Sequence, residues 1–135
     1  MTVTTEGKSS PAIDQQITWF TTRDLAATVR FYENVVGLTC VLDQKEVDCR
    51  IYRISSDGYI GFCQRDYVPE QPAKTCITIV STKVDEWYRY LCDHGATVEK
   101  PPAVSSRANL YHFFCRDPNG YTLEVQQFLD PSWNC

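Results

Sequence analysis

No stretch of this chain stays apolar over the roughly 20 residues that a bilayer-spanning helix needs, so no membrane partner is expected. Basic residues are few: 13 lysines and arginines against 17 aspartates and glutamates leave a net charge of −4. Without a basic stripe to neutralise phosphates, nucleic acid is not an expected partner either. The opening segment, Met1 to Pro11, is rich in Thr and Ser and lacks the apolar core of a signal peptide. Cysteine is not scarce, at seven, but the number is odd and no CxxC spacing occurs, which argues against a disulfide framework. Cys40, Cys49, Cys63, Cys76, Cys92 and Cys115 therefore read as small reduced hydrophobes, and Cys135 as an oxidation-prone chain end. A cytoplasmic location is the matching expectation.

What is present suits one globular domain: 135 residues, 43% of them hydrophobic and 22% charged, enough for a real core. Within it a pattern occurs twice. The run Asp117-Pro118-Asn119-Gly120-Tyr121-Thr122-Leu123-Glu124-Val125-Gln126 has the shape of Ser56-Asp57-Gly58-Tyr59-Ile60-Gly61-Phe62-Cys63-Gln64. Laying Gly58-Tyr59 on Gly120-Tyr121 sets Gln64 on Gln126 and Phe62 on Glu124. The chain then divides into an N-terminal arm (1–15), module one (16–65), a linker (66–74) with Pro69 and Pro72, module two (75–128) and a tail (129–135) carrying Trp133.

Each module reads as a strand, a helix and three strands. In module one these are Ile17–Thr21, then a helix Leu25–Val36 capped by Thr22 or Asp24 and ended by Gly37, then strands over 38–42, 47–54 and 59–64. In module two they are Cys76–Ser81, then a helix Asp85–His94 opened by a capping box at Thr82 to Asp85 and ended by Gly95, then strands near 96–99, 110–116 and 121–128. A single helix covers one face of such a sheet. The other face needs a partner, and two modules facing each other could enclose a cavity. The fold class is α+β.

Arg23-Asp24-Leu25, Phe31-Tyr32 and Val36-Gly37-Leu38, together with Arg116-Asp117-Pro118-Asn119-Gly120-Tyr121…Glu124, resemble the vicinal oxygen chelate superfamily. That group includes glyoxalase I, bleomycin-resistance proteins, fosfomycin-resistance enzymes and extradiol dioxygenases. The resemblance implies two tandem βαβββ modules forming an open barrel, and a homodimer as the common assembly. It also implies four metal-ligand positions, which fall here on Ile17, Phe62, Cys76 and Glu124. Ile17 and Phe62 have no donor atoms, and two ligands fall short of the three or four that catalytic metals take from protein. Gln16 is one residue out of step and faces the other way; His94 ends a helix, and His112 lies on a strand. No metal cofactor is expected, with a divalent cation completed by His112 or a dimer mate as the alternative.

Alternation along the strands assigns Ile17, Trp19 and Thr21, then Ile60, Phe62 and Gln64, then Cys76, Thr78 and Val80, and finally Thr122, Glu124 and Gln126 to the cavity. The expected ligand-binding set is Trp19, Thr21, Ile60, Phe62, Gln64, Thr78, Glu124 and Gln126, with Tyr52 and Tyr111 nearby. A carboxylate among such neighbours needs a cation, a donor or a proton, and Arg53, Arg65 and Arg116 are candidate partners. Glu124 is also the one catalytic candidate, as a general base; Cys76 beside it lacks the positive charge that activates a thiol. Three readings stay open. The first is a metal-independent binder of an apolar or aromatic small molecule between the modules, similar to bleomycin-resistance members. The second is a lyase, isomerase or dioxygenase with a non-standard metal site at Glu124. The third is a filled module with a structural or oligomerising role.

Overall fold

A computed structural model describes residues 9–133. Module one forms a mixed four-stranded sheet from β1 (Gln16–Thr22), β2 (Thr39–Gln44), β3 (Cys49–Arg53) and β4 (Gly58–Gln64), in the order β1-β4-β3-β2. Module two repeats it with β5 (Cys76–Val80), β6 (Ala103–Ser105), β7 (Leu110–Arg116) and β8 (Thr122–Phe128), in the order β5-β8-β7-β6. In each sheet the first strand runs parallel to the last, as a crossover through a helix requires. The architecture is thus the expected α+β pair of βαβββ modules, built as two separate sheets and not a closed barrel. No helix among the described residues is long and apolar enough to cross a membrane.

The first helix starts where Asp24 Oδ1 accepts the Ala27 N–H at 3.0 Å, while Thr22 Oγ1 accepts the Asp24 N–H at 3.1 Å. It is α-helical only over Leu25–Arg30 and continues as a π-helical turn over Phe31–Val35. This wider turn allows the neighbours Phe31 and Tyr32 both to be buried. The second helix, Val84–Asp93, has no side-chain cap: Ser81 Oγ accepts the Lys83 N–H, and the expected box at Thr82 does not form. The strand expected at 96–99 is reduced to one bridge, Val98 to Cys115, because Pro101 and Pro102 follow with no N–H to continue a ladder.

Both helices and the inner faces of both sheets share one core. Phe62 lies against Tyr32 at 4.6 Å between ring centroids and against Phe20 at 5.4 Å, and Phe20 meets Tyr121 of module two at 5.4 Å. The turn before β8 bolts the modules together. Buried Asp117 accepts the Tyr32 hydroxyl at 2.8 Å and the backbone N–H groups of Asn119 and Tyr121 at 2.8 and 2.9 Å. Asn119 accepts from Thr22 at 2.6 Å and donates to Thr28 at 3.1 Å, so β1 and the first helix both hold it. The tail folds back on the body, with Trp133 stacked on Phe128 at 4.2 Å. Cys135 and most of the expected N-terminal arm, 1–8, lie outside the described residues.

Pairing registers show how the two modules correspond. Ile17 pairs with Tyr59 as Cys76 pairs with Thr122, and Trp19 pairs with Gly61 as Thr78 pairs with Glu124. The turns agree: the Ile54 N–H donates to the Gly58 carbonyl at 2.9 Å, and the Asp117 N–H to the Tyr121 carbonyl at 3.0 Å. Gly58 therefore matches Tyr121, not Gly120. The expected superposition is one residue out, and a one-residue slip moves a whole strand's side chains to the other face. Ile60 and Phe62 accordingly point into the helix-covered core instead of sharing a face with Ile17 and Trp19. Gln64 shares their side of the strand, and its Oε1 accepts the Leu25 N–H at 3.1 Å.

Candidate functional site

On the side of module two away from the helix, alternation gathers Cys76 and Thr78 of β5, Thr122, Glu124 and Gln126 of β8, and His112, Phe114 and Arg116 of β7. The segment Glu99 to Pro101 and Ala103 of β6 form a wall along this face. Together with Ala73 of the linker they enclose a cavity of about 570 Å³ lined by Cys76, His112, Phe114, Arg116 and Thr122. No module-one residue lines it, so the cavity belongs to one module and not to a gap between two.

Glu124 is the centre of this face, its side chain 12% exposed. Thr78 Oγ1 donates to Oε1 at 2.9 Å, and the Cys76 thiol lies on the same oxygen at 3.7 Å. His112 Nδ1 contacts Oε2 at 2.7 Å. With its amide nitrogen turned to the carboxylate, Gln126 donates to Oε2 at 2.9 Å and to Oε1 at 3.3 Å. Neither Arg53, Arg65 nor Arg116 serves as the partner: Arg53 donates to the Ser56 carbonyl, Arg65 to the Val47 and Gln64 carbonyls, and Arg116 to Thr122. The Cys76 thiol is pushed up, first by burial and further by the nearby Glu124 carboxylate, which keeps it protonated and poorly nucleophilic.

These residues do not fit a divalent cation. A carboxylate has about four lone-pair positions, and four donor groups surround this one. Among the described residues no three His, Cys, Asp or Glu side chains are arranged to hold a metal ion. In module one the corresponding positions hold Ile17 and Gly61, and neither has a donor atom in its side chain.

Module one's open face is otherwise built. Trp19 lies against Gly61, where an added Cβ would come within 2.5 Å of the indole, and the residue stays 49% exposed. Where module two has His112 opposite Gln126, module one has Cys49 opposite Cys63, and these two form a disulfide. The expectation of reduced cysteines fails at this pair, and the cytoplasmic expectation loses that support. The reason is long-range: the two cysteines meet only because β3 and β4 pair in this register. Arg53, the counterpart of Arg116, lies 5.0 Å over the Tyr59 ring.

Of the expected ligand set, Thr78, Glu124 and Gln126 come together around one carboxylate, beside the cavity, and none of the eight residues lines it. Trp19 and Thr21 lie on module one's open face, and Ile60, Phe62 and Gln64 lie on its opposite side. Tyr52 is in the core with its hydroxyl on Glu33 at 2.8 Å, and the Tyr111 hydroxyl binds Asp85, so neither lines the cavity. His112, Phe114, Arg116 and the Glu99–Pro101 wall were not in the expected set. The alternation His112, Phe114, Arg116 was visible in the sequence, but only strand pairing says which face it lines.

A family model described as the Glyoxalase/Bleomycin resistance protein/Dioxygenase superfamily matches residues 15–125. Among solved structures, a glyoxalase/bleomycin resistance protein/dioxygenase from Nocardioides superposes with a TM-score of 0.75 at 16% identity, covering 98% of this chain and 93% of that one. Lactoylglutathione lyase from Agrobacterium tumefaciens gives 0.70 at 19% identity, over 93% of this chain and 100% of that one. A virulence protein from Salmonella typhimurium gives 0.66 at 19% identity, over 89% and 98%. At such identities the likeness speaks for the fold alone. No curated protein matches the sequence.

Proposed function

The chain belongs to the glyoxalase/bleomycin resistance protein/dioxygenase superfamily, and on that premise we propose that it is a metal-independent small-molecule-binding protein, a homodimer whose ligand site is the open face of module two. The observation that carries this reading is the saturation of Glu124. A carboxylate that ligates a metal must offer lone pairs to the ion. Here Thr78, Cys76, His112 and Gln126 surround it, and turning it to a cation would leave those polar groups unpaired at about 1–3 kcal/mol each. The cavity volume falls within the range of small-molecule pockets, with Phe114, Pro101 and Ala103 as apolar walls and a few polar groups to set orientation. The ligand is accordingly apolar or aromatic, and it lies on Phe114 in place of Phe62.

Native mass spectrometry after incubation with zinc, nickel, manganese and ferrous iron tests this directly. The expected result is a metal-free protein mass under every condition. One divalent ion per chain, lost in Glu124→Gln, overturns the reading in favour of a metal-dependent enzyme.

A further inference from the structure

We infer that Arg116 is a carboxylate anchor, so that the ligand of the module-two cavity is a small apolar acid carrying a single negative charge; this rests on the cavity reading above and narrows it.

The argument begins with how the guanidinium is held. Arg116 Nη1 donates to Thr122 Oγ1 at 2.8 Å, and that hydroxyl donates in turn to the Ala73 carbonyl at 2.6 Å. Thr122 is buried, so its hydroxyl is fixed in direction and fixes the arginine. A guanidinium carries five N–H donors in one plane, and this contact uses one of them. Among the described residues no carboxylate pairs with Arg116. Glu124, the acidic group of the same face, is already surrounded by donors of its own. The result is an oriented cation on the lining of a cavity, with its fork available.

Arg50 and Arg53 are committed elsewhere. Arg50 binds Glu33 at 2.8 Å and Asp43 at 2.9 Å. Arg53, which occupies the matching place in module one, lies over Tyr59 and donates to a carbonyl. Thr122 stands where Tyr59 stands, so the ring that occupies Arg53 is replaced by a hydroxyl that presents Arg116. Module one thus has no counterpart of the cation that module two presents.

The surroundings set the charge and the body of the ligand. Lys100 and Glu99 also line the cavity, so with Arg116 the balance is one net positive charge once the His112 imidazole is set against the Glu124 carboxylate it contacts. A monoanion matches that balance, whereas a phosphate dianion meets repulsion from Glu99. A planar carboxylate also suits the planar fork, in which two parallel N–H···O bonds form. Phe114, Pro101 and Ala103 leave an apolar volume beside the charge, fit for a ring or a short chain.

Calorimetry on the whole protein tests this, with phenylacetate, indole-3-acetate and octanoate, their primary amides, and inorganic phosphate as probes. The acids are expected to bind and the amides to bind roughly ten- to a hundredfold more weakly, the size of a charge-assisted pair. Arg116→Gln is expected to erase that difference, and Arg116→Lys to restore part of it. The acid–amide comparison needs no variant and therefore stands whatever Arg116→Gln does to folding. Equal binding of acid and amide, undiminished acid binding by folded Arg116→Gln, or tighter binding of phosphate overturns the inference and leaves the cavity reading in place. No binding of any organic probe at millimolar concentration removes both.

Discussion

Gly61 and Glu124 occupy the same place in their modules and have opposite consequences. The missing side chain at Gly61 admits the Trp19 indole onto the sheet, where any Cβ would lie 2.5 Å from ring carbons. Gly61→Ala must therefore displace the ring. Because Trp19 is half-exposed, the ring can swing into solvent, and stability is expected to change by only about 1 kcal/mol or less, as for other exposed sites. The checking measurement is tryptophan emission, which should shift to the red in Gly61→Ala but not when the same change is made on a Trp19→Phe background. An unmoved spectrum would mean that the indole does not rest on Gly61.

At the scale of elements, the Asp117-Pro118-Asn119-Gly120 turn is a joint. Its polar side chains tie module two to β1 and the first helix, and no described site chemistry runs through them. Burial pushes the Tyr32 phenol well above the usual tyrosine value, and the Asp117 carboxylate adds to the effect. For an acid raised in the folded state, stability is intact below the unfolded value of about 10 and falls as the unfolded chain ionises above it. The urea midpoint is thus expected to hold between pH 8 and 9 and to drop by pH 11, with a smaller drop in Tyr32→Phe. An equal drop in both would remove Tyr32 as the cause. In the neighbouring sheet, the Cys49–Cys63 bond joins β3 to β4 across a separation of 14 residues. Closing a loop of that size stabilises by about 3 kcal/mol in the chain-entropy account. Reductant should lower the denaturation midpoint of the wild type by a corresponding amount and leave Cys49→Ala/Cys63→Ala unmoved. Identical midpoints with and without reductant would count against the bond.

For the whole molecule, module one's open face displays apolar groups that one chain leaves uncovered, Ile17 at 39% and Trp19 at 49% exposed. A second copy is the partner that would cover them, and we expect a dimer in native mass spectrometry and light scattering. Ile17→Lys/Trp19→Lys should yield a folded monomer, since neither residue belongs to the core. A monomeric wild type at micromolar concentration would refute this.

Much of the fold was legible in the sequence because its signals are local. Asp24 as a cap, Gly37 and Gly95 at positive φ and the strand alternation each act within a few residues. That Glu124 and Gln126 share a face was legible too, because the Asp117–Gly120 turn starts β8 and alternation then places them together, but the cavity lining, which includes neither, was not. Module one was misjudged by one residue at Gly58, because the two turns are equally long and only their hydrogen bonds match Gly58 with Tyr121 and not with Gly120. His112, Arg116 and the disulfide partners could not be placed, since facing across a sheet is a property of pairing and not of neighbours in the chain.

By itself, then, the sequence determined two βαβββ units, their order, and a lone carboxylate in the second, all consequences of periodicity and turn chemistry. Tertiary structure decided which faces those residues share: that Phe62 joins the core, that Cys49 meets Cys63, and that Glu124 is surrounded by Thr78, Cys76, His112 and Gln126. Register is the physical reason. It depends on backbone hydrogen bonds between strands far apart in the chain, and a shift of a single residue exchanges one face of a strand for the other.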